Sequence, residues 1–484
     1  MTGQTHNCGF YAWQNADGGF GLNSHEHVQS KINLGNKEKN MPTRREFLIM
    51  GTGSLLAISV PGFAKDGIQH ARSATAVIQV DGDGIRLAAV AVVYDTPLRG
   101  DQLTADSFRV AGRTVTGAFA STSANPADQA AVGRFVIVTL SPADHDALLA
   151  EKVQPKTANQ TQTSAGGGPG NAGDVPPYDT IYRHPEACIV QSGTLTTRNG
   201  YILPASHSEL KTTQVISPVV DDFHSLEFND PKTGKMLRYN LFVPKDYDRE
   251  KSWPLVLFMH DAGATSDVTR TTLYQGLGAV VWASPADQTS RPCFVLAPQY
   301  GEIIADDDSH TSSMLDTTID LIRSLSGQYN IDQNRLYTTG QSGGCMMSIA
   351  MDIKYPDLFA ASFLVAGQWD PTLVKPLARQ KLWILVSQDD DKAWPGQNAI
   401  TTTLEKEGAK ISRATWDGTW SPEEFRAAYD KIDAEGSPIN YVAFRKGTVI
   451  PPGQSAEGAS GHRNTWRIAY TIAPVREWLF RQHK

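Results

Sequence analysis

A serine hydroxyl is a weak nucleophile until a base takes its proton. The stretch Leu336-Tyr337-Thr338-Thr339-Gly340-Gln341-Ser342-Gly343-Gly344-Cys345 is suited to exposing one to such a base. An apolar, β-branched run enters Gly-x-Ser-x-Gly, and Met346, Met347, Ile349, Ala350 and Ile353 leave it in a helix-like segment. That is the strand, tight turn and helix in which a serine is pushed out as a nucleophile. Gly340 and Gly344 leave room where the turn crowds the backbone. The short pattern also arises by chance, so the rest of the chain must supply its partners. They are expected in the order serine, acid, histidine. Past Ser342, the apolar run Leu382–Val386 leads into Ser387-Gln388-Asp389-Asp390-Asp391. An acid just past a strand end is well placed to orient the base, and three adjacent aspartates leave the choice open. Beyond them only His462 and His483 remain. His483 adjoins the C-terminus, where fraying is expected. His462 is therefore assigned as the base, in a loop just before the final amphipathic helix.

Acyl transfer also needs two N–H donors aimed at the developing oxyanion, and losing one costs about 3 kcal/mol. One is the Gly343 amide, directly after the nucleophile. The other is expected after an earlier strand. Leu255-Val256-Leu257-Phe258-Met259 runs into His260-Asp261-Ala262-Gly263-Ala264, and Ala262 is the expected donor. His260 precedes Ser342, which is the wrong side in chain order, so it is read as a brace for the loop. Asp261 beside an oxyanion site is expected to point away.

From about Leu237 strands and helices alternate. Leu237–Val243, Leu255–His260, Phe294–Pro298, Arg335–Gly340, Ala360–Ala366 and Leu382–Ser387 are candidate strands, most of them nearly continuous apolar runs, as in a sheet buried on both faces. Leu315, Ile319, Ile322 and Leu325 share one helical face. The expectation is a doubly wound α/β domain with a mainly parallel sheet over residues 178–484. Residues 75–150 differ: closely spaced strands with turn signals and no helices point to a small β-sandwich. Residues 151–177 hold a Gly-rich run and read as a linker. Arg44-Arg45, Phe47-Leu48 and the apolar run to Ala64 make residues 41–64 a twin-arginine-type export signal. Its apolar part is too short and too rich in Gly and Ser to span a membrane. Such a signal belongs at a chain start, so the start is expected at Met41, with residues 1–40 a disordered or mis-called extension.

The chain has 484 residues and a net charge of -7, which speaks against nucleic acid as a partner. Cys8, Cys188, Cys293 and Cys345 have no zinc or haem spacing. Whether Cys188 and Cys293 pair is left open, and Cys293 and Cys345 read as small buried apolar residues.

These residues resemble α/β-hydrolase esterases that carry an N-terminal immunoglobulin-like domain, relatives of polyhydroxyalkanoate-depolymerase-like and prolyl-oligopeptidase-like enzymes. The likeness runs from about residue 75 onward. It is carried by Val92-Val93-Tyr94-Asp95 through Phe108, Leu237 through Asp248, Tyr329-Asn330-Ile331-Asp332 through Gly344, and Gly461-His462-Arg463-Asn464-Thr465-Trp466. The resemblance implies an acid in a His-Gly-x-x-Asp-x-x-Val-Pro loop. Ser387 and Gln388 stand at the His-Gly places and Pro395 at the proline, which puts the acid on Asp391, with Asp390 as the fallback. The family usually has His-Gly where this chain has His260-Asp261. Trp369, Trp394, Trp416 and Trp466 cluster in sequence around the loops and are candidates for an aromatic-lined substrate pocket, with ordinary packing as the alternative for each.

The expected function is an exported, periplasmic or secreted serine hydrolase acting on small or polymeric carboxylic esters, with no metal or organic cofactor. Ser342 attacks, His462 is general base, Asp391 orients it, and Gly343 and Ala262 hold the oxyanion. The rivals are a peptidase with the same triad and a non-catalytic polymer-binding protein on a relic hydrolase fold.

Overall fold

The computed structural model describes residues 70–153 and 170–484. The extension 1–40, the export signal 41–64 and most of the 151–177 linker lie outside the described residues.

The first part is built from β1 (Ala71–Asp81), β2 (Gly84–Arg99), β3 (Phe108–Val110), β4 (Val115–Ser121) and β5 (Val132–Leu140). Two short pieces, β6 (Ala150–Val153) and β7 (Asp179–Tyr182), pair with each other. Then come β8 (Cys188–Gln191), β9 (Leu195–Thr196), β10 (Ile202–Leu203) and β11 (Leu210–Ile216). The strand order is β3-β8-β11-β1-β2-β5-β4. Its two ends, β3 and β4, are consecutive in the chain, so the sheet must curl round on itself. The Asp81-Gly82-Asp83-Gly84 turn closes the β1–β2 hairpin, with Gly84 at φ 135°, where a side chain would be strained. This corrects the boundaries read from sequence. Residues 188–216 supply β8 and β11 to the sandwich and not to the α/β domain expected over residues 178–484. Their pairing partners, β3 and β1, are distant in sequence, and β11 lies parallel to β1.

The second part carries a nine-stranded sheet of β12 (Phe223–Asn229), β13 (Met236–Phe242), β14 (Trp253–Met259), β15 (Phe294–Gln299), β16 (Ile331–Gln341), β17 (Ala361–Val365), β18 (Leu382–Ser387), β19 (Ile411–Trp416) and β20 (Ile439–Phe444). The order is β12-β13-β15-β14-β16-β17-β18-β20-β19. β12, β13 and β15 pair antiparallel in sequence, and from β15 through β19 every pairing is parallel, so the sheet is mixed.

The helices are α1 (Thr271–Tyr274), α2 (Leu277–Val280), α3 (Pro285–Ser290), α4 (Met314–Gln328), α5 (Gly343–Lys354), α6 (Ala393–Lys406), α7 (Pro422–Asp433), α8 (Ser460–Ala469) and α9 (Ala473–Arg481). Alternate strand residues feed two separate apolar clusters. Leu255, Leu257 and Met259 of β14 join residues of α4, α5 and α6, while Val256 and Phe258 join α2, α7, α8 and α9. Helices thus cover both faces, which is why the strands read as unbroken apolar runs. The second cluster is continuous with the interior of the sandwich. Cys293 is a buried free thiol and so is not paired with Cys188.

One buried group stands out on α5. Asp352 is fully buried, and neither carboxylate oxygen has a hydrogen-bond partner among the described residues. Burial pushes its pKa up to about 7. The folded state therefore keeps a proton that the unfolded chain releases near pH 4, and stability falls as pH rises from about 4 to about 7. Asp352→Asn is expected to raise the melting temperature at pH 8, by a margin worth on the order of a few kcal/mol. The gain is expected to vanish near pH 4. Thermal melts of both proteins across this range check it, and a gain independent of pH would contradict it.

Candidate active site

Ser342 sits between the end of β16 and the start of α5 with φ 52° and ψ −118°, a backbone region that side-chain-bearing residues rarely occupy. Its amide is held by the Val365 carbonyl at 3.0 Å. The flanking glycines have steric reasons. A Cβ on Gly340 would lie 2.3 Å from the Gly344 carbonyl carbon, and one on Gly344 would lie 2.0 Å from the Met259 carbonyl oxygen. Glycine at both places lets the turn close and lets α5 press against the end of β14.

His462 meets this serine. Its Nε2 lies 2.8 Å from Ser342 Oγ, and its Nδ1 lies 2.5 Å from Asp390 Oδ2. Trp466, one helical turn on, stands edge-on to the imidazole with ring centres 5.0 Å apart. His462 belongs to the first turn of α8 and not to a loop before a last helix; the segment read as one helix is two, α8 and α9. Gly461 explains the approach. A Cβ there would sit 2.5 Å from the Asp389 carbonyl oxygen, so only glycine lets α8 dock on the acid loop.

The carboxylate against His462 is Asp390, not Asp391. The three aspartates diverge because the chain turns sharply after β18. Asp390 N donates to the Ser387 carbonyl at 3.0 Å, and Asp389 Oδ2 accepts from Gly447 N at 2.7 Å. Asp390 is 3% exposed, with Oδ1 accepting from Lys392 N at 3.1 Å and Ala393 N at 2.9 Å where α6 begins. Asp391 faces solvent. Burial pushes the Asp390 pKa up, but the hydrogen bond and charge of His462 and the two amides outweigh it, and the carboxyl is held below its usual range.

The segments of the two expected oxyanion donors lie side by side: a Cβ on Gly343 would lie 3.6 Å from Ala262 N. Ala262 opens a short turn, Ala262–Ala264, and its amide meets no acceptor among the described residues. His260 is fully buried; its Nδ1–H donates to the Asp261 carbonyl at 2.8 Å, and its Nε2 accepts from Tyr300 N at 3.0 Å. Burial lowers its pKa, which suits a neutral brace.

Of the four tryptophans, Trp466 makes a ring contact with a site residue, His462. Trp416 is 1% exposed and packs on Trp383 and Phe425 at the β19 edge of the sheet, so it is core and not pocket. Its side chain falls on the apolar cluster's side of β19 because strand alternation sends it there. Trp369 is buried and Trp394 half-buried in the α5–α6 cluster.

Sequence reading missed the loop after β15 and its partner. The Ala305 carbonyl lies 4.0 Å from where a Gly343 Cβ would be, so this loop flanks the elbow. It is paired with the tail of the presumed linker: Gly173 N donates to the Ile303 carbonyl and Ile303 N to the Asp174 carbonyl, both at 2.8 Å. Ala172 N donates to Asp306 Oδ2 at 3.0 Å, and Tyr182 packs edge-on against Tyr274 at 4.9 Å. The stretch after residue 170 is thus built onto the site's surroundings. Its Gly and Pro content hid this, because the bonds are made by backbone.

Residues 73–204 match the family described as the esterase Ig-like N-terminal domain. The matched residues span most of the sandwich, which is thus similar to that domain. The match ends inside the segment that adds β8 to the sheet, in keeping with the boundary seen in the fold. The chain is 50% identical over 117 residues to a probable acetylxylan esterase A of Aspergillus flavus, a match covering 24% of this chain and 34% of that protein. It is 45% identical over 56 residues to acetylxylan esterase A of Emericella nidulans, covering 12% and 16%. The chain thus spans about a third or less of the length of these curated relatives. Among solved structures, a thermostable esterase covers 85% of this chain and all of its own, with a TM-score of 0.68 and 24% identity. The immunoglobulin-like domain and the α/β-hydrolase-like domain behind it therefore share that esterase's fold.

Proposed function

We propose that this chain is a serine hydrolase that cleaves carboxylic esters through an acyl-enzyme. The observation that carries this is the unbroken relay from Ser342 Oγ through His462 to Asp390. With Nδ1–H donated to the ionised Asp390, His462 presents a basic Nε2 to the serine. As Ser342 attacks the ester carbonyl, its proton passes to Nε2 and the carbonyl oxygen becomes an oxyanion between the amides of Gly343 and Ala262. His462 then gives the proton to the leaving alkoxide. In the second half it takes a proton from the water that attacks the acyl carbonyl and returns it to Ser342 Oγ as the acyl–Oγ bond breaks, releasing the acid. All the groups are the protein's own, so the chemistry calls for no metal or organic cofactor. The names of the curated relatives support esters over peptides and put short acyl groups, acetyl above all, first in line. The Arg44-Arg45 signal supports export of the enzyme, and among the described residues no helix is long and apolar enough to cross a membrane.

The test is a panel of p-nitrophenyl esters graded by acyl length, acetylated xylan and peptide anilides, run on protein beginning at Met41. Turnover of short acyl esters without anilide cleavage is expected. Anilide cleavage without ester turnover would make the chain a peptidase and overturn the ester assignment.

A further inference from the structure

We propose that Asp261 and Gln341 form a positioning pair that sets the oxyanion hole, an inference that rests on the serine-hydrolase function above. A carboxylate next to a developing oxyanion would oppose it, unless its charge is aimed and engaged elsewhere. Both oxygens of Asp261 are engaged. Oδ1 accepts from Gly263 N at 2.8 Å, which folds the Ala262–Ala264 turn. Oδ2 accepts from Gln341 Nε2 at 3.0 Å. Gln341 immediately precedes Ser342, and Asp261 immediately precedes Ala262. One side-chain bridge therefore ties the two backbone segments that supply the two donors.

The orientation of Gln341 fits this role. It is 1% exposed, and its Nε2 also donates to Gln275 Oε1 at 3.2 Å. Its Oε1 is buried with no hydrogen-bond partner among the described residues. Leaving an amide oxygen unpaired is costly. Turning the amide over would bring that oxygen against the Asp261 carboxylate, so the carboxylate fixes which way Gln341 points. With the first oxygen folding the turn and the second gripping the elbow, the Ala262 amide is left unbonded beside Gly343.

The pair is tested by kcat and KM on a short p-nitrophenyl ester for the wild type, Asp261→Ala, Gln341→Ala, the double variant and Asp261→Asn, with labelling of Ser342 by a serine-reactive phosphonate alongside. Asp261→Ala and Gln341→Ala are each expected to lower kcat by about 10- to 100-fold, short of the loss on deleting a donor outright. KM is expected to stay within about twofold, because substrate binding precedes oxyanion formation. The double variant is expected to be no worse than the worse single, as for two halves of one bridge. Asp261→Asn is expected to recover to within about fivefold of wild type, since its oxygen still accepts from Gly263 N and its amide can meet the unpaired Gln341 Oε1. Should Asp261→Ala not fold, Gln341→Ala carries the same expectation with the Gly263 turn intact. Wild-type kcat in either single, or losses that multiply in the double, would overturn the pair. A wild type that neither turns over ester nor labels at Ser342 would overturn the hydrolase reading itself.

Discussion

Changing Ser342 to alanine is expected to remove ester turnover, with kcat falling by about 10,000-fold or more, and His462→Ala is expected to do the same. Each loss alone breaks the relay, so the double variant is expected to be hardly worse than either single. Neither change should unfold the chain. Ser342→Ala keeps the Cβ at the strained elbow, and the serine's side-chain hydrogen bond is to His462. His462 is partly exposed, with 22% of its side chain open to solvent. Kinetics with circular dichroism and thermal melts on the same preparations separate chemistry from folding. Near-normal turnover in folded His462→Ala would remove the histidine from the mechanism.

The second large effect distinguishes two adjacent acids. Asp390→Asn is expected to cost kcat about 10,000-fold, while Asp391→Asn stays near wild type. The asparagine at 390 can turn its NH2 toward Nδ1 and hold the imidazole in the tautomer that carries its proton on Nε2. That nitrogen can then no longer take the serine's proton. The fold survives, because the asparagine oxygen still accepts from Lys392 N and Ala393 N. Asp391 is exposed, so its charge is screened and its removal is small. Since Asp390 is held below the usual carboxylate range, it stays ionised through mildly acidic pH, and the acid limb of wild-type turnover is not set by it. Equal losses at both positions, or a larger loss at Asp391, would contradict the geometry.

The contrast between these aspartates shows where sequence runs out. Gly340, Ser342 and Gly344 were legible because the elbow's sterics demand glycine at a fixed spacing, and His462 because chain order leaves few candidates. Which of three neighbouring acids turns inward depends on Gly447, which engages Asp389, and on Gly461, which lets α8 reach the loop. Both lie more than fifty residues downstream in the chain. The alternation of strands and helices was plain in the apolar runs. The immunoglobulin-like domain's last strands were not, since β8 is short and both β8 and β11 find partners, β3 and β1, across long sequence separations. Trp416 looked like a pocket residue from its neighbours in sequence, but the alternation of β19 decides its side. The role of Asp261 was out of reach, because its partner Gln341 is eighty positions away.

The most direct measurement is mass-spectrometric mapping of a serine-reactive phosphonate on the native protein. A single adduct on Ser342 is expected, formed by the wild type and lost in His462→Ala, because only a serine with a working base beside it reacts. No adduct on the folded wild type, or an adduct on another serine, would contradict the assignment of Ser342 as nucleophile.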